Sequence, residues 1–158
     1  MASNAHVLVH YYVREGFFNK VQTIADEEWK KNLDPVLNFW KAYAMHCENS
    51  TREAILETEA ILEKRGMELP CASALVHYHQ QCRVVDQDAV TTLTMRLQSE
   101  VHSATEASRV LAVQFHMAVG ELDRARELLA PLEGSSSPAV NTARGWLEFS
   151  VGRATVNP

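Results

Sequence analysis

A turn-forming residue followed five positions later by a small or β-branched one recurs along this chain. That interval constrains the fold more than any other feature. In "AVGELDRA" Gly120 precedes Ala125, in "CENSTREA" Asn49 precedes Ala54, and in "REGFFNKV" Gly16 precedes Val21. A glycine inside a helix costs about 1 kcal/mol relative to alanine, so Gly120 reads as the turn between two helices. Gly and Asn both reach the left-handed backbone that such a turn requires. In "CRVVDQDA" Val84 stands five before Ala89, which predicts a displaced turn in the third unit. With Val21, Ala54, Ala89 and Ala125 as equivalents, the units are spaced by 33, 35 and 36 residues. Two helices of a hairpin approach closely only where side chains are short, which gives the small residue its place.

The segments between the turns have helical spacing. Ala54, Ile55, Thr58, Ile61 and Leu62 form one stripe, and Leu122, Ala125, Leu128, Leu129 and Leu132 another. Asp34 before Pro35, and Ser137 before Pro138, read as an N-cap followed by proline at the first helical position. "STRE" from Ser50 and "SATE" from Ser103 have capping-box spacing. In "ILEKRG", Lys64 and Arg65 suit a last turn, with Gly66 just beyond it. Pro131 ends or kinks the eighth helix early. Sustained two-residue alternation and hairpin dipeptides, the marks of strands, are missing. The spacing predicts nine helices, as hairpins over 4–31, 35–65, 70–101 and 105–130, with a ninth, unpaired helix over 138–151.

A period of about 34 residues, with a small residue early in the second helix, is the tetratricopeptide repeat (TPR) pattern. The expected fold is all-α: an end of a right-handed TPR-like α-solenoid of antiparallel helical hairpins. An unrelated helical bundle is the competing reading. Ala42, seven before Asn49, and Gly145, seven before Gly152, fit the other small position of such repeats. A lone hairpin buries too little, so stacked neighbours supply the core. The ninth helix carries Trp146, Leu147, Phe149 and Val151 with no sequence after it to cover its second face. The chain therefore reads as one domain, a fragment of a longer solenoid cut inside a repeat, and self-association through that last helix is one consequence to expect.

The net charge of −5 argues against a nucleic-acid partner. No apolar run approaches the roughly 20 residues needed to span a bilayer, so direct membrane insertion is not expected. The N-terminal stretch lacks a basic region and is interrupted by His6 and His10, unlike a secretory signal. Cys47, Cys71 and Cys82, an odd number without a C-x-x-C pair, fit reduced thiols in a cytoplasmic protein.

More specific wording lies in "YYVREGFF", "DPVLNFWKAY" and "REAI", within Val9–Leu62. That stretch resembles the start of the tetratricopeptide repeat protein 21 family, the large TPR subunit of intraflagellar transport complex A (intraflagellar transport protein 139). "GELDRARELL" and "ARGWLEFSVGR" are similar to the family more loosely, and Met67–Val101 departs from it most. The resemblance implies a non-enzymatic scaffold of cilia, flagella and basal bodies that supports retrograde transport and cargo entry. It implies the other complex A subunits as partners, together with cargo or adaptor peptides, and neither cofactor nor catalytic residue. The alternative is a TPR adaptor outside the cilium, such as a co-chaperone or secretion chaperone.

Three kinds of site compete with an ordinary structural role for the same residues. His77, His79 and Cys82 are close in sequence, but His77 and His79 point about 200° apart on a helix, so zinc is not expected. A Cys–His nucleophile has no oxyanion hole or phosphate-cradling loop in support. The first helices of TPR pairs line a concave face, and counting from the turns places His10, Tyr43, Gln114 and Trp146 there, with Tyr78 if the third unit is in register. Neighbouring slots add Val13, Phe39, Trp40, His46, Met117 and Phe149. This surface is aromatic and neutral, and it lacks the cations of a carboxylate clamp. It would suit an extended or helical apolar segment. The same aromatics read equally as packing between helices, most of all Phe39 and Trp40.

Overall fold

The computed structural model describes residues 4–156. Among them are nine α-helices, one short 3-10 turn and no strand. The helices are α1 Asn4–Glu15, α2 Phe18–Asn32, α3 Pro35–Cys47, α4 Thr51–Ile61, α5 Glu68–Gln81, α6 Gln87–Glu100, α7 Glu106–Ala118, α8 Leu122–Leu129 and α9 Pro138–Val156. Each pair α1–α2, α3–α4, α5–α6 and α7–α8 packs against itself as a hairpin.

The turn residues carry the backbone that their spacing predicts. Gly16, Asn49 and Gly120 have φ of +78°, +70° and +85°. Val21, Ala54 and Ala125, five residues on, are fully buried. The third unit departs: its turn runs over 82–86, and Ala89 is only half-buried. That turn ends on Asp86, whose Oδ1 accepts from the Ala89 amide at 3.0 Å and starts α6.

Asp34 caps α3, its Oδ1 accepting from the Val36 amide at 3.0 Å. Two expected caps are replaced. Ser50 makes no side-chain cap, and Thr51 instead bonds His46 at 2.9 Å. Thr105, not Ser103, starts α7, its hydroxyl accepting from the Ser108 amide at 3.2 Å. α4 stops at Ile61, earlier than Lys64 and Arg65 imply. The chain then tightens through three-residue turns, Lys64 to Ile61 and Met67 to Lys64, and Gly66 takes φ +82°. α5 begins two residues before Pro70, which sits in the first turn where its missing N–H is tolerated. Pro131 ends α8 at Leu129 and converts the chain to a 3-10 turn over Ala130–Leu132.

The core forms two clusters joined through α7. Leu111 and Phe115 of α7 pack with Val9, Phe39, Trp40, Tyr43, Cys71 and Tyr78 of the first three hairpins. Val110, Val113 and Met117 pack with Ala125 and Leu129 of α8 and with Val140, Ala143 and Leu147 of α9. α5 crosses the middle and is buried from Leu69 to Val76 and again at Tyr78. α2 packs on α3 and α4 on α5, as stacked repeats do, but α6 does not continue the series onto α7 in this way. α6 has no buried residue.

Gly145 does not serve the packing role expected of it. A Cβ there would meet nothing within 4 Å, whereas Ala42, in the corresponding slot of α3, is fully buried. Among the described residues no helix covers that side of α9, where Phe149 is 63% exposed.

Candidate functional site

The first helices of the hairpins bring most of the expected inward residues together, and they close the inner face with them. Phe115 of α7 is the hub. Its ring lies 5.8 Å from Phe39 and 6.0 Å from Tyr43 of α3, and 5.9 Å from Tyr78 and 5.8 Å from His77 of α5, all near edge-to-face. That arrangement is the favoured one for aromatic quadrupoles. The Tyr43 hydroxyl donates to the Ala118 carbonyl at the end of α7 at 3.3 Å. Side chains of α3 therefore reach α7 directly.

The same closure joins the first hairpin to the last helix. The His10 ring of α1 stands 4.9 Å from Trp146 of α9, at 74°, and 6.0 Å from Trp40 of α3. The Arg14 guanidinium lies over the Trp146 ring at 5.4 Å. Such a cation over an indole face contributes about 0.5–2 kcal/mol according to its exposure.

The eleven residues expected to line an open groove thus divide. Phe39, Trp40, Tyr43, Tyr78 and Met117 are buried, and they face neighbouring helices of their own chain. Val13 is buried with them. His10, His46, Gln114 and Trp146 are half-buried, and Phe149 is exposed. The reason is physical: neutral aromatic faces on successive first helices gain more from each other than from water, at roughly 25 cal/mol per Å² of apolar surface removed. Phe115 is not picked out by counting from the turns, which selects Gln114 and Met117 on either side. Its i+4 relation to Leu111 on an apolar helical stripe is the sequence signal that marks it.

Four histidines line this interior. Burial pushes the His10 imidazole down to about 4, with Arg14 adding to the effect. His46 is lowered by burial and then by His77, whose ring is 5.5 Å away. Burial lowers His77 and His116 as well, against the opposing pull of Glu121, whose Oε1 lies 3.7 Å and 3.6 Å from their Nδ1 atoms. Burial also raises the Cys47 and Cys71 thiols, the direction opposite to that of an activated nucleophile. The three cysteines are free. Among the described residues no group of three or more His, Cys, Asp or Glu side chains converges as a metal site would require. Nor is any described helix long and apolar enough to cross a membrane.

Stacked helical hairpins, an aromatic interior shared by alternate helices and an uncovered last helix define a helical-repeat protein. The family described as the tetratricopeptide repeat protein 21 N-terminal ARM repeat matches residues 9–157, and the chain belongs to that family. It is 32% identical to tetratricopeptide repeat protein 21B of Xenopus laevis over 99% of this chain and 12% of that protein. To the Homo sapiens protein of the same name it is 30% identical, over 92% of this chain and 11% of the relative. To tetratricopeptide repeat protein 21A of Homo sapiens it is 28% identical, over 95% and 12%. The chain thus spans about an eighth or less of the length of these curated relatives. The match extends well beyond Val9–Leu62, where the wording is most specific, and takes in the divergent third unit.

Proposed function

We propose that this chain is an interaction segment of intraflagellar transport complex A, acting as a non-enzymatic scaffold in retrograde transport and ciliary cargo entry. The family match over residues 9–157 carries the reading. The fold is compatible with it: helical repeats present long outer faces, and their binding surfaces form by stacking. The proposed setting is the cilium or flagellum and the basal body, with the other complex A subunits as partners. An adaptor that grips a peptide in its concave face draws no support from an inner face filled by Phe39, Tyr43, Tyr78 and Phe115.

Capture tests the proposal. The immobilised 158-residue chain is incubated with each purified complex A subunit in turn. Saturable retention of at least one subunit is expected. A folded chain that retains none of them overturns the assignment.

A further inference from the structure

A cleft opens where the stacking is interrupted at the third junction. It encloses about 560 Å³, within the range of pockets that accept ligands or anchoring side chains. α6 contributes Thr94, Leu97 and Gln98 to one wall, and Val101 just after it extends that wall. α8 and the turn after it contribute Arg124, Glu127, Leu128 and Pro131 to the other. Both sets have i, i+3, i+4, i+7 spacing, so each wall follows one side of its helix into the residues just beyond it. The floor comes from Leu69 and Ser73 of α5 and from Arg109 and His116 of α7. Two helical walls that expose Leu97, Val101 and Leu128 to the space between them form the kind of groove that an amphipathic helix recognises through its own i, i+3, i+4, i+7 anchors.

The charge in the cleft runs against that of the chain. The whole molecule carries −5, yet Arg109 and Arg124 line this cleft against the single carboxylate of Glu127. Arg109 is buried and donates through Nη2 to the Val101 carbonyl, which fixes its guanidinium between the end of α6 and α7. Arg124 stands at the rim, its Nε 3.3 Å from Glu121. Leu97, Val101 and Leu128 are only partly covered by their own chain. α6 rests on α5, and beyond that helix the Arg109 bond to the Val101 carbonyl and an exposed pair, Arg96 with Glu63 at 2.6 Å and 3.0 Å, tie it to the rest.

We propose that the cleft between α6 and α8 docks an amphipathic helix of a partner protein whose apolar stripe is flanked by carboxylates. The stripe packs on Leu97, Val101 and Leu128, and a carboxylate meets Arg124. The docked helix then covers the faces of α6 and α8 that the third junction leaves open. This goes beyond membership in a transport complex and does not depend on it.

Three labelled peptides of about 18 residues, long enough to populate a helix in isolation, test it against the 158-residue chain by fluorescence anisotropy. One carries a leucine stripe flanked by Glu, the second the same stripe flanked by Lys, and the third the Glu flanks with Ser in place of Leu. Saturable binding is expected for the first alone. Arg124→Glu and Gln98→Glu, at two exposed positions of the walls, should each weaken it by about tenfold or less, and together by more than either alone. Methyl spectra should place the shifts at Leu97, Val101 and Leu128. The proposal is overturned if the Glu–Leu peptide does not saturate, if the Lys version binds equally well, or if the shifts centre on Phe149 and α9. A concentration-dependent dimer that blocks the peptide also overturns it, because a second copy is then the occupant.

Discussion

Replacing Phe115 with alanine separates a closed inner face from an open groove. The ring is fully buried and stands within 5.8–6.0 Å of four other rings on α3 and α5. Deleting a buried phenylalanine costs about 3–5 kcal/mol, part from lost transfer and part from the cavity left behind. The interlocked neighbours put this site toward the upper half of that range, because α3, α5 and α7 would have to move together to fill the gap. A domain of this kind has about 5–15 kcal/mol in all, so the variant should stay folded near room temperature with much of its margin gone. At about 2–4 °C per kcal/mol for a chain of this size, Phe115→Ala should lower Tm by about 10 °C. Urea unfolding followed by far-UV and near-UV circular dichroism gives both the midpoint and the m-value. An unchanged m with a lower midpoint is the signature of lost stability alone. A loss of less than about 1 kcal/mol, as for a side chain at a solvated surface, would refute the closed interior.

Acid should destabilise the fold through its histidines. His10, His46, His77 and His116 all have lowered pKa values in the native state, so the unfolded chain takes up more protons as pH falls below the ordinary histidine range. Stability is then complete above about pH 6.5 and is lost toward pH 4, the window set by His10. Melting at about pH 7.5 and about pH 5 should differ, and His10→Phe should shrink the difference; equal melting temperatures would contradict this. Two glycines should respond oppositely to alanine. Gly120→Ala, at φ +85°, should lose about 1 kcal/mol in chemical denaturation. Gly145→Ala, in helix α9 with open space around it, should gain up to about 1 kcal/mol. Enlarging the small positions grades the repeats: Ala125→Leu should cost about 1–3 kcal/mol, and Ala89→Leu distinctly less, since Ala89 is only half-buried; equal losses would contradict the looser third unit.

Local rules carry most of what this chain shows on inspection. Left-handed backbone at Gly16, Asn49 and Gly120, the Asp34 cap with Pro35, and the break at Pro131 each depend on one residue and its neighbours, so spacing alone locates them. Caps are less secure where two hydroxyl residues compete. Thr105 displaces Ser103, and His46 takes the hydroxyl of Thr51 beside the expected Ser50 cap. The inward direction of His10, Tyr43, Tyr78 and Trp146 follows from counting along helices. Whether those side chains line a groove or fill it does not, because that depends on how tightly successive hairpins coil. The contacts of α3 with α7 and α1 with α9 are set by packing between residues about 75 and 136 positions apart, which no local pattern encodes. The cleft at α6 is silent in sequence for a related reason. Leu97 and Val101 have the spacing of an ordinary core stripe, and only the sparse packing of α6 on α7 turns that stripe into a wall.

The closed interior has its most direct test at the two ends of the chain. His10 and Trp146 are 136 positions apart in sequence, and their rings are 4.9 Å apart in space. Nuclear Overhauser contacts between the His10 imidazole and the Trp146 indole protons, read in the 158-residue chain with both residues selectively labelled, should be present and should vanish on unfolding. Their absence from the folded chain, with the contacts inside each hairpin retained, would mean an open superhelix and would contradict the account.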